Sequence, residues 1–283
     1  MTREAQFRRV VWGYYRERGR HALPWRNISK PLPTGRLAYQ ILVSEIMLQQ
    51  TQVDRVLPFY NAFIRRFPNA KKLARASLSS VLRAWQGLGY NRRAKMLHLA
   101  AKDIAARGFP KTVPELERLP GVGHYTARAV AAFAFNADVV MVETNIRTAI
   151  IHNFFLKRKT NGTPIYGSAV SDREIGEILE RVLPKGHARK WYWALMDYGA
   201  HLKRSGVALN GQSSHYTKQS KFEGSARQAR GAILRALARR SATEAALLKT
   251  FPPKRAPQVR RALIALSAEG LIEKTGRTYC LAS

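Results

Sequence analysis

Apolar residues return every three or four positions through most of this chain, in Tyr39 to Leu48, Leu78 to Trp85, Met96 to Ile104, Tyr125 to Phe135 and Ile175 to Leu183, with short Gly, Pro and Asn punctuation between the runs. That period gathers the apolar residues on one side of a helix, so each run predicts a helix with one buried face. Alternating strand patterns are absent until the last residues. From about Gly206 to Gly224 the chain is polar, aperiodic and basic, which predicts a linker or a contact loop. Three further helical runs follow it, Arg227 to Arg239, Thr243 to Thr250 and Ala256 to Glu269, and then Leu271 to Lys274, a turn at Gly276-Arg277 and Thr278 to Leu281. Three helices and a terminal hairpin predict a winged-helix-like module. The expected fold is all-α, with a large domain over 1–205, a basic linker over 206–224 and the winged-helix-like domain over 225–283.

Charge narrows the partners. The 283 residues carry 49 Lys and Arg against 18 Asp and Glu, a formal net charge of +31, so a polyanion is the expected ligand. The basic residues run through the periodic segments (Arg65-Arg66, Arg92-Arg93, Arg239-Arg240, Arg260-Arg261), so folded faces carry the charge. Arg255, Arg260 and Arg261 place the third helix of the C-terminal module as a candidate for the major groove, although such modules serve equally to pack against a neighbour. No long uninterrupted apolar run is present, and no membrane partner is expected. Cys280 is the single cysteine, which excludes an intramolecular disulfide and a cysteine-rich metal site and suits a reducing cytoplasm. Met1-Thr2-Arg3-Glu4 leads into an amphipathic pattern (Phe7, Val10, Val11, Tyr14) where a signal peptide would need a continuous apolar stretch. No metal or other cofactor is expected.

Two carboxylates and one turn carry the candidate chemistry. In Leu119-Pro120-Gly121-Val122-Gly123 two glycines between helical runs let backbone N–H groups approach a phosphate, as in the helix-hairpin-helix of DNA-handling proteins; two glycines alone also suit an ordinary inter-helix turn. Glu45 sits among Ile41, Leu42, Met47 and Leu48, where desolvation would raise its pKa and suit it to proton transfer, and Gln49 and Gln50 add amides able to meet a base. Glu143 precedes the helical run opening at Asn145-Ile146-Arg147, where terminal N–H groups favour an anion, whether as a catalytic group or as a plain cap. One carboxyl that donates a proton beside another held as an anion is the pair that breaks glycosidic bonds through an oxocarbenium-like transition state, N-glycosidic bonds included.

Five segments in order, Leu23-Pro24-Trp25-Arg26, Ser44 to Val53, Gly87-Leu88-Gly89-Tyr90 with Arg92-Arg93-Ala94, Leu119 to Gly123, and Leu195 to Ala200, resemble the MutY-type adenine DNA glycosylases of the helix-hairpin-helix superfamily, over roughly Phe7 to Lys203. The resemblance implies a two-lobed helical fold that binds double-stranded DNA and flips a mispaired or damaged base. It implies that Glu45 protonates the departing base, that Glu143, followed by Asn145, stabilises or traps the sugar cation, and that Tyr90 wedges into the base stack. Gln49 and Gln50 would contact the opposite strand, and the backbone of Leu119, Gly121, Val122 and Gly123 would hold a phosphate. Trp25 and Arg26 would line the base pocket, where Asp197 would read the base edge.

Three departures qualify that resemblance. The family has Asp where this chain has Glu143. Its iron-sulfur cluster is held by four cysteines just after the Leu-Met-Asp segment, whereas here Lys203-Arg204-Ser205-Gly206 and Gln212 to His215 stand there, so Lys203, Arg204, Lys218 and Lys221 are expected to bind backbone phosphates instead. Beyond Gly224 the winged-helix-like module replaces the larger domain that recognises 8-oxoguanine, and it is expected to add positioning charge. Tyr125 stands where bifunctional relatives carry a Schiff-base Lys, which implies a monofunctional enzyme. Adenine is the first candidate substrate. A thymine/uracil or modified-pyrimidine mismatch glycosylase, and a non-catalytic paralogue that binds DNA structure, are the alternatives; a monomer is expected.

Overall fold

A computed structural model describes residues 1–27, 34–158, 164–165, 169–207 and 222–283. Its elements run α1 (Arg3–Arg18), α2 (Thr34–Leu48), α3 (Val53–Arg66), α4 (Ala70–Ala74), α5 (Leu78–Ala84), α6 (Arg92–Arg107), α7 (Val113–Glu117), α8 (His124–Phe135), α9 (Thr144–Ile150), a π-helical turn (Ile151–Phe155), β1 (Lys157–Arg158), β2 (Pro164–Ile165), α10 (Asp172–Val182), α11 (Ala188–Arg204), α12 (Ala226–Arg239), β3 (Ala242–Thr243), α13 (Glu244–Leu248), a 3-10 turn (Pro253–Arg255), α14 (Ala256–Ala268), β4 (Ile272–Thr275) and β5 (Thr278–Leu281). The chain divides into two compact units that each draw on separate stretches: 1–34, 111–117 and 123–218 form one, and 35–110, 118–122 and 219–283 the other. The C-terminal segment thus gathers with residues 35–110.

In the first unit α11 is the central element, contacting α1, α8 and α9. Phe7 stands edge-on to Phe154 at 5.1 Å and to Trp191 at 6.0 Å between ring centroids, and Val11, Ile175 and Leu179 are fully buried around them. Local chemistry sets the helix ends: Ser171 and Glu174 form a reciprocal capping box at the start of α10, satisfying two otherwise unpaired amides. At Gly199 α11 passes so close to α9 that a Cβ would lie 2.0 Å from the Asn145 carbonyl oxygen, so no side chain fits there. The π-helical turn at Ile151–Phe155 was not legible in the apolar spacing.

In the second unit α2 lies in the core, with ten of its residues buried from Leu37 to Met47. Phe63 of α3 meets Phe67 at 4.9 Å and Trp85 at 5.8 Å, and the Tyr39 hydroxyl donates to the Phe67 carbonyl. The C-terminal segment forms three helices and a three-stranded antiparallel sheet of order β3-β5-β4, with Thr275 opposite Thr278 at the hairpin. Thr243, expected to begin a helix, instead pairs with Thr278 in the short β3 while its side chain caps α13 by accepting from the Ala246 amide. This module packs on α5. Arg83 donates to the Ala238 carbonyl at 3.1 Å and Lys95 to the Glu269 carbonyl at 2.5 Å. Among the described residues no helix is long and apolar enough to cross a membrane.

Candidate active site

Glu45 projects from α2 inside its buried run, 7% exposed between Ser44 and Ile46. The helix ends at Leu48, and Gln50 turns into the left-handed region at φ 54°. Arg93, from the first turn of α6, holds that end: one nitrogen donates to the carbonyls of Ile46, Met47 and Gln49 at 2.8, 3.0 and 2.5 Å, the other to Thr51 Oγ1 and to the Gly89 carbonyl. Burial pushes the Arg93 pKa down to about 10, which leaves the cation intact at neutral pH. Gln49 is half-buried and Gln50 exposed beside it, while Tyr90 follows a turn in which Gly87 and Gly89 also have positive φ.

Glu143 belongs to the other unit, where it is the N-cap of α9. Its Oε1 accepts from the amides of Asn145 (2.8 Å) and Ile146 (2.9 Å), and its Oε2 from the Thr144 hydroxyl (3.1 Å) and the Asn145 side-chain amide (3.3 Å). Four donors therefore fix the carboxylate, and Asn145 supplies two of them. Lys203 of α11 lies one turn beyond Gly199, the residue that presses on Asn145; burial holds its ammonium below the usual lysine range against the pull of Glu143. Arg204 is exposed and Tyr125 half-buried in the first turn of α8. Lys218 and Lys221 lie outside the described residues.

The same unit contains Trp25, Arg26 and Asp197, all buried. Arg26 donates to Asp197 Oδ2 at 2.7 Å and lies over the Trp193 ring, with its guanidinium carbon 5.5 Å from the centroid. Arg20 adds its backbone amide to Oδ2 at 2.8 Å and its side chain to Oδ1 at 2.6 Å. Burial alone would raise the Asp197 carboxyl, but Arg26 and Arg20 outweigh it and hold the pKa below its ordinary value. Both carboxylate oxygens are engaged by arginines, so Asp197 organises Arg26 as it stands. Sequence reasoning missed Arg20 and Trp193, whose only signals were a basic residue near the Leu-Pro-Trp-Arg segment and an aromatic in the Trp191 to Trp193 run.

The glycine turn joins α7 to α8. Leu119 and Val122 are buried, Val122 N–H donates to the Leu119 carbonyl at 3.1 Å, and Gly121 has φ 77°. Gly123 is the N-cap of α8 with φ −89°, and the space around its missing Cβ is open.

Residues 43–165 match the model of the HhH-GPD superfamily base excision DNA repair proteins. The adenine DNA glycosylase of Mycolicibacterium smegmatis is 36% identical over 282 residues, covering 92% of this chain and 90% of the relative. The chain belongs to the MutY-like HhH-GPD glycosylases. The adenine DNA glycosylase of Mycobacterium tuberculosis is 40% identical over 188 residues, 65% of this chain and 58% of the relative's length. A thermostable thymine-DNA glycosylase shares the fold with a TM-score of 0.58 at 22% identity, over 76% of this chain and 96% of that one. The chain is thus a DNA N-glycosylase of base excision repair with the mostly helical fold expected.

A four-thiolate iron-sulfur cluster does not fit this glycosylase. Its single cysteine, Cys280, lies in β5 with its thiol toward the Glu273 carbonyl at 3.8 Å, far along the chain from the Leu-Met-Asp segment. Two of the arginines expected to enter a DNA groove are tied within the C-terminal module: Arg255 donates to Gln258 and Gln228 at 2.8 Å each, and Arg260 pairs with Glu244 at 3.0 Å.

Asp197→Asn strips a buried guanidinium of its counter-charge and is expected to cost about 3–5 kcal/mol of stability. Because the folded pKa of Asp197 is depressed, its contribution is complete above the unfolded value of about 3.9 and disappears as pH falls through the folded value. Denaturant unfolding should show a constant gap between wild type and variant from about pH 7 down to about pH 4 and a narrowing gap below. Gly123→Val, which the fold accommodates, is expected to weaken binding to all duplexes by a similar factor, about tenfold, with little change in base preference. Gly121→Val is a poorer probe, since a Cβ there would meet Met96 Cβ at 2.5 Å.

Proposed function

We propose that this glycosylase removes adenine from a mispair in duplex DNA, acting as a monofunctional enzyme and as a monomer. The observation that carries the reading is Glu45, a carboxyl buried in the apolar run of α2 and followed within one turn by Gln49 and Gln50. A carboxyl in that setting donates a proton to the departing base as the C1′–N bond breaks, so the base leaves neutral. Positive charge then develops on the sugar, and Glu143, oriented by its four donors, stabilises it until water adds at C1′. Tyr125 offers no amine for an imine, which favours hydrolysis over strand cleavage. The adenine DNA glycosylases of the two mycobacterial relatives support adenine as the base.

Single-turnover assays should be run on duplexes carrying adenine opposite 8-oxoguanine or guanine, and thymine, uracil or modified pyrimidines opposite guanine. Release of adenine alone is expected. Selective release of a pyrimidine would overturn the substrate, and intact bonds across the panel would overturn the enzyme reading. Glu45→Gln keeps the size and removes the acid, so it should slow cleavage about a hundredfold or more with duplex affinity nearly unchanged.

A further inference from the structure

Backbone strain in the second unit is concentrated at one cavity. Among the described residues three non-glycines have positive φ: Asn136, which terminates α8, and Gln50 and Tyr90. The last two both line a cavity of about 420 Å³ together with Arg55, Arg227 and Arg235. Each left-handed non-glycine costs on the order of 1–3 kcal/mol and persists only where its surroundings hold it. Around Tyr90 the Trp85 indole N–H donates to the Gly89 carbonyl at 3.1 Å, Arg93 donates to the same carbonyl at 3.2 Å, and Arg55 donates to the Gly87 carbonyl.

The remaining support comes from the C-terminal module. Arg227, in the first turn of α12, donates to the Tyr90 hydroxyl at 2.6 Å, and its guanidinium carbon lies 5.6 Å from the ring centroid. Arg93 stands over the same ring at 5.2 Å and over Trp85 at 5.6 Å. Arg227 and Arg93 thus both engage the Tyr90 ring, Arg93 also engages Trp85, and Arg93 is the group that holds the end of α2 just beyond Glu45. Helix α12 is fixed in turn by the Arg230–Glu269 ion pair at 2.7 Å, while the Glu269 carbonyl accepts from Lys95. Cation–π and hydrogen-bond contacts on one ring define both its plane and its reach.

We propose that Arg227 is a positioning residue through which the C-terminal module sets Tyr90, and by way of Arg93 the end of α2, in the conformation used on DNA. The module then acts on base extrusion and on the chemical step, where the sequence suggests only added positive charge. The idea rests on the proposed glycosylase reaction, in which Tyr90 enters the base stack.

The test uses the full chain with Arg227→Ala, Arg227→Lys, Tyr90→Phe and the double variant Tyr90→Phe with Arg227→Ala. Three quantities are measured: the single-turnover rate at saturating enzyme, the Kd for the same duplex, and the fluorescence of 2-aminopurine placed beside the mispair, which reports unstacking whether or not a bond is cut. Arg227→Ala should lower the saturated rate about tenfold and reduce the fluorescence rise, with Kd shifted less than about threefold. Lys, which lacks the planar fork, should restore little. In the Tyr90→Phe background the further loss should be small, because the two residues act as one unit. An unchanged saturated rate with weaker binding rescued by Lys would make Arg227 a phosphate contact and overturn the proposal, as would additive losses in the double variant. If no duplex is cleaved the proposed reaction fails, yet the fluorescence arm still decides the role of Arg227. Tyr90→Phe removes only the hydroxyl and keeps the test open should Arg227→Ala misfold.

Discussion

Helix α2 must end within a turn of Glu45, and the guanidinium of Arg93 is what lets it end there. A helix terminus leaves carbonyls without intrahelical partners, and in a buried setting each one would carry a desolvation penalty. Arg93 donates to three carbonyls at this end, a position where the helix dipole also favours a cation. Burial and the nearby Arg55 cation lower its pKa, and Tyr90 works against them. The same guanidinium braces the Gly89 carbonyl and lies over the Tyr90 ring, so one half-buried cation holds the end of the Glu45 helix and the strained turn together.

Burying cations is a general problem for a chain of charge +31, and the first unit solves it differently. Asp197 accepts from Arg26 and Arg20 through both oxygens, and Trp193 offers its ring face to Arg26. With only 18 acidic residues available, the protein also uses carbonyl oxygens and aromatic faces as counter-poles.

What was legible in the sequence is what depends on neighbours along the chain. The strand Thr278 to Leu281, the α9 cap at Glu143 and the glycine turn before α8 all follow from local spacing and capping chemistry. The candidate site was legible as a set of residues, because its motifs are short. Contacts across long separations were not: Arg227 meets Tyr90 across 137 residues and Arg26 meets Asp197 across 171. The ion pair of Arg260 in α14 has the same origin, since a basic residue on a helix gives no sign that Glu244 lies beside it. β3 escaped notice because two residues carry no period.

Glu143 shows how a departure from a family pattern can be absorbed locally. Asp is among the favoured N-caps because its short arm brings an oxygen to the first amides of the helix, and a longer arm would ordinarily overshoot. Here the side chain folds back, so that a single oxygen accepts from both the Asn145 and Ile146 amides. The second oxygen accepts from the Thr144 hydroxyl and the Asn145 side-chain amide. Asn145 is itself closely packed, since a Cβ at Gly199 of α11 would lie 2.0 Å from its carbonyl oxygen. Four donors at the start of α9, two of them from Asn145, therefore set the direction of the Glu143 carboxylate despite its longer tether.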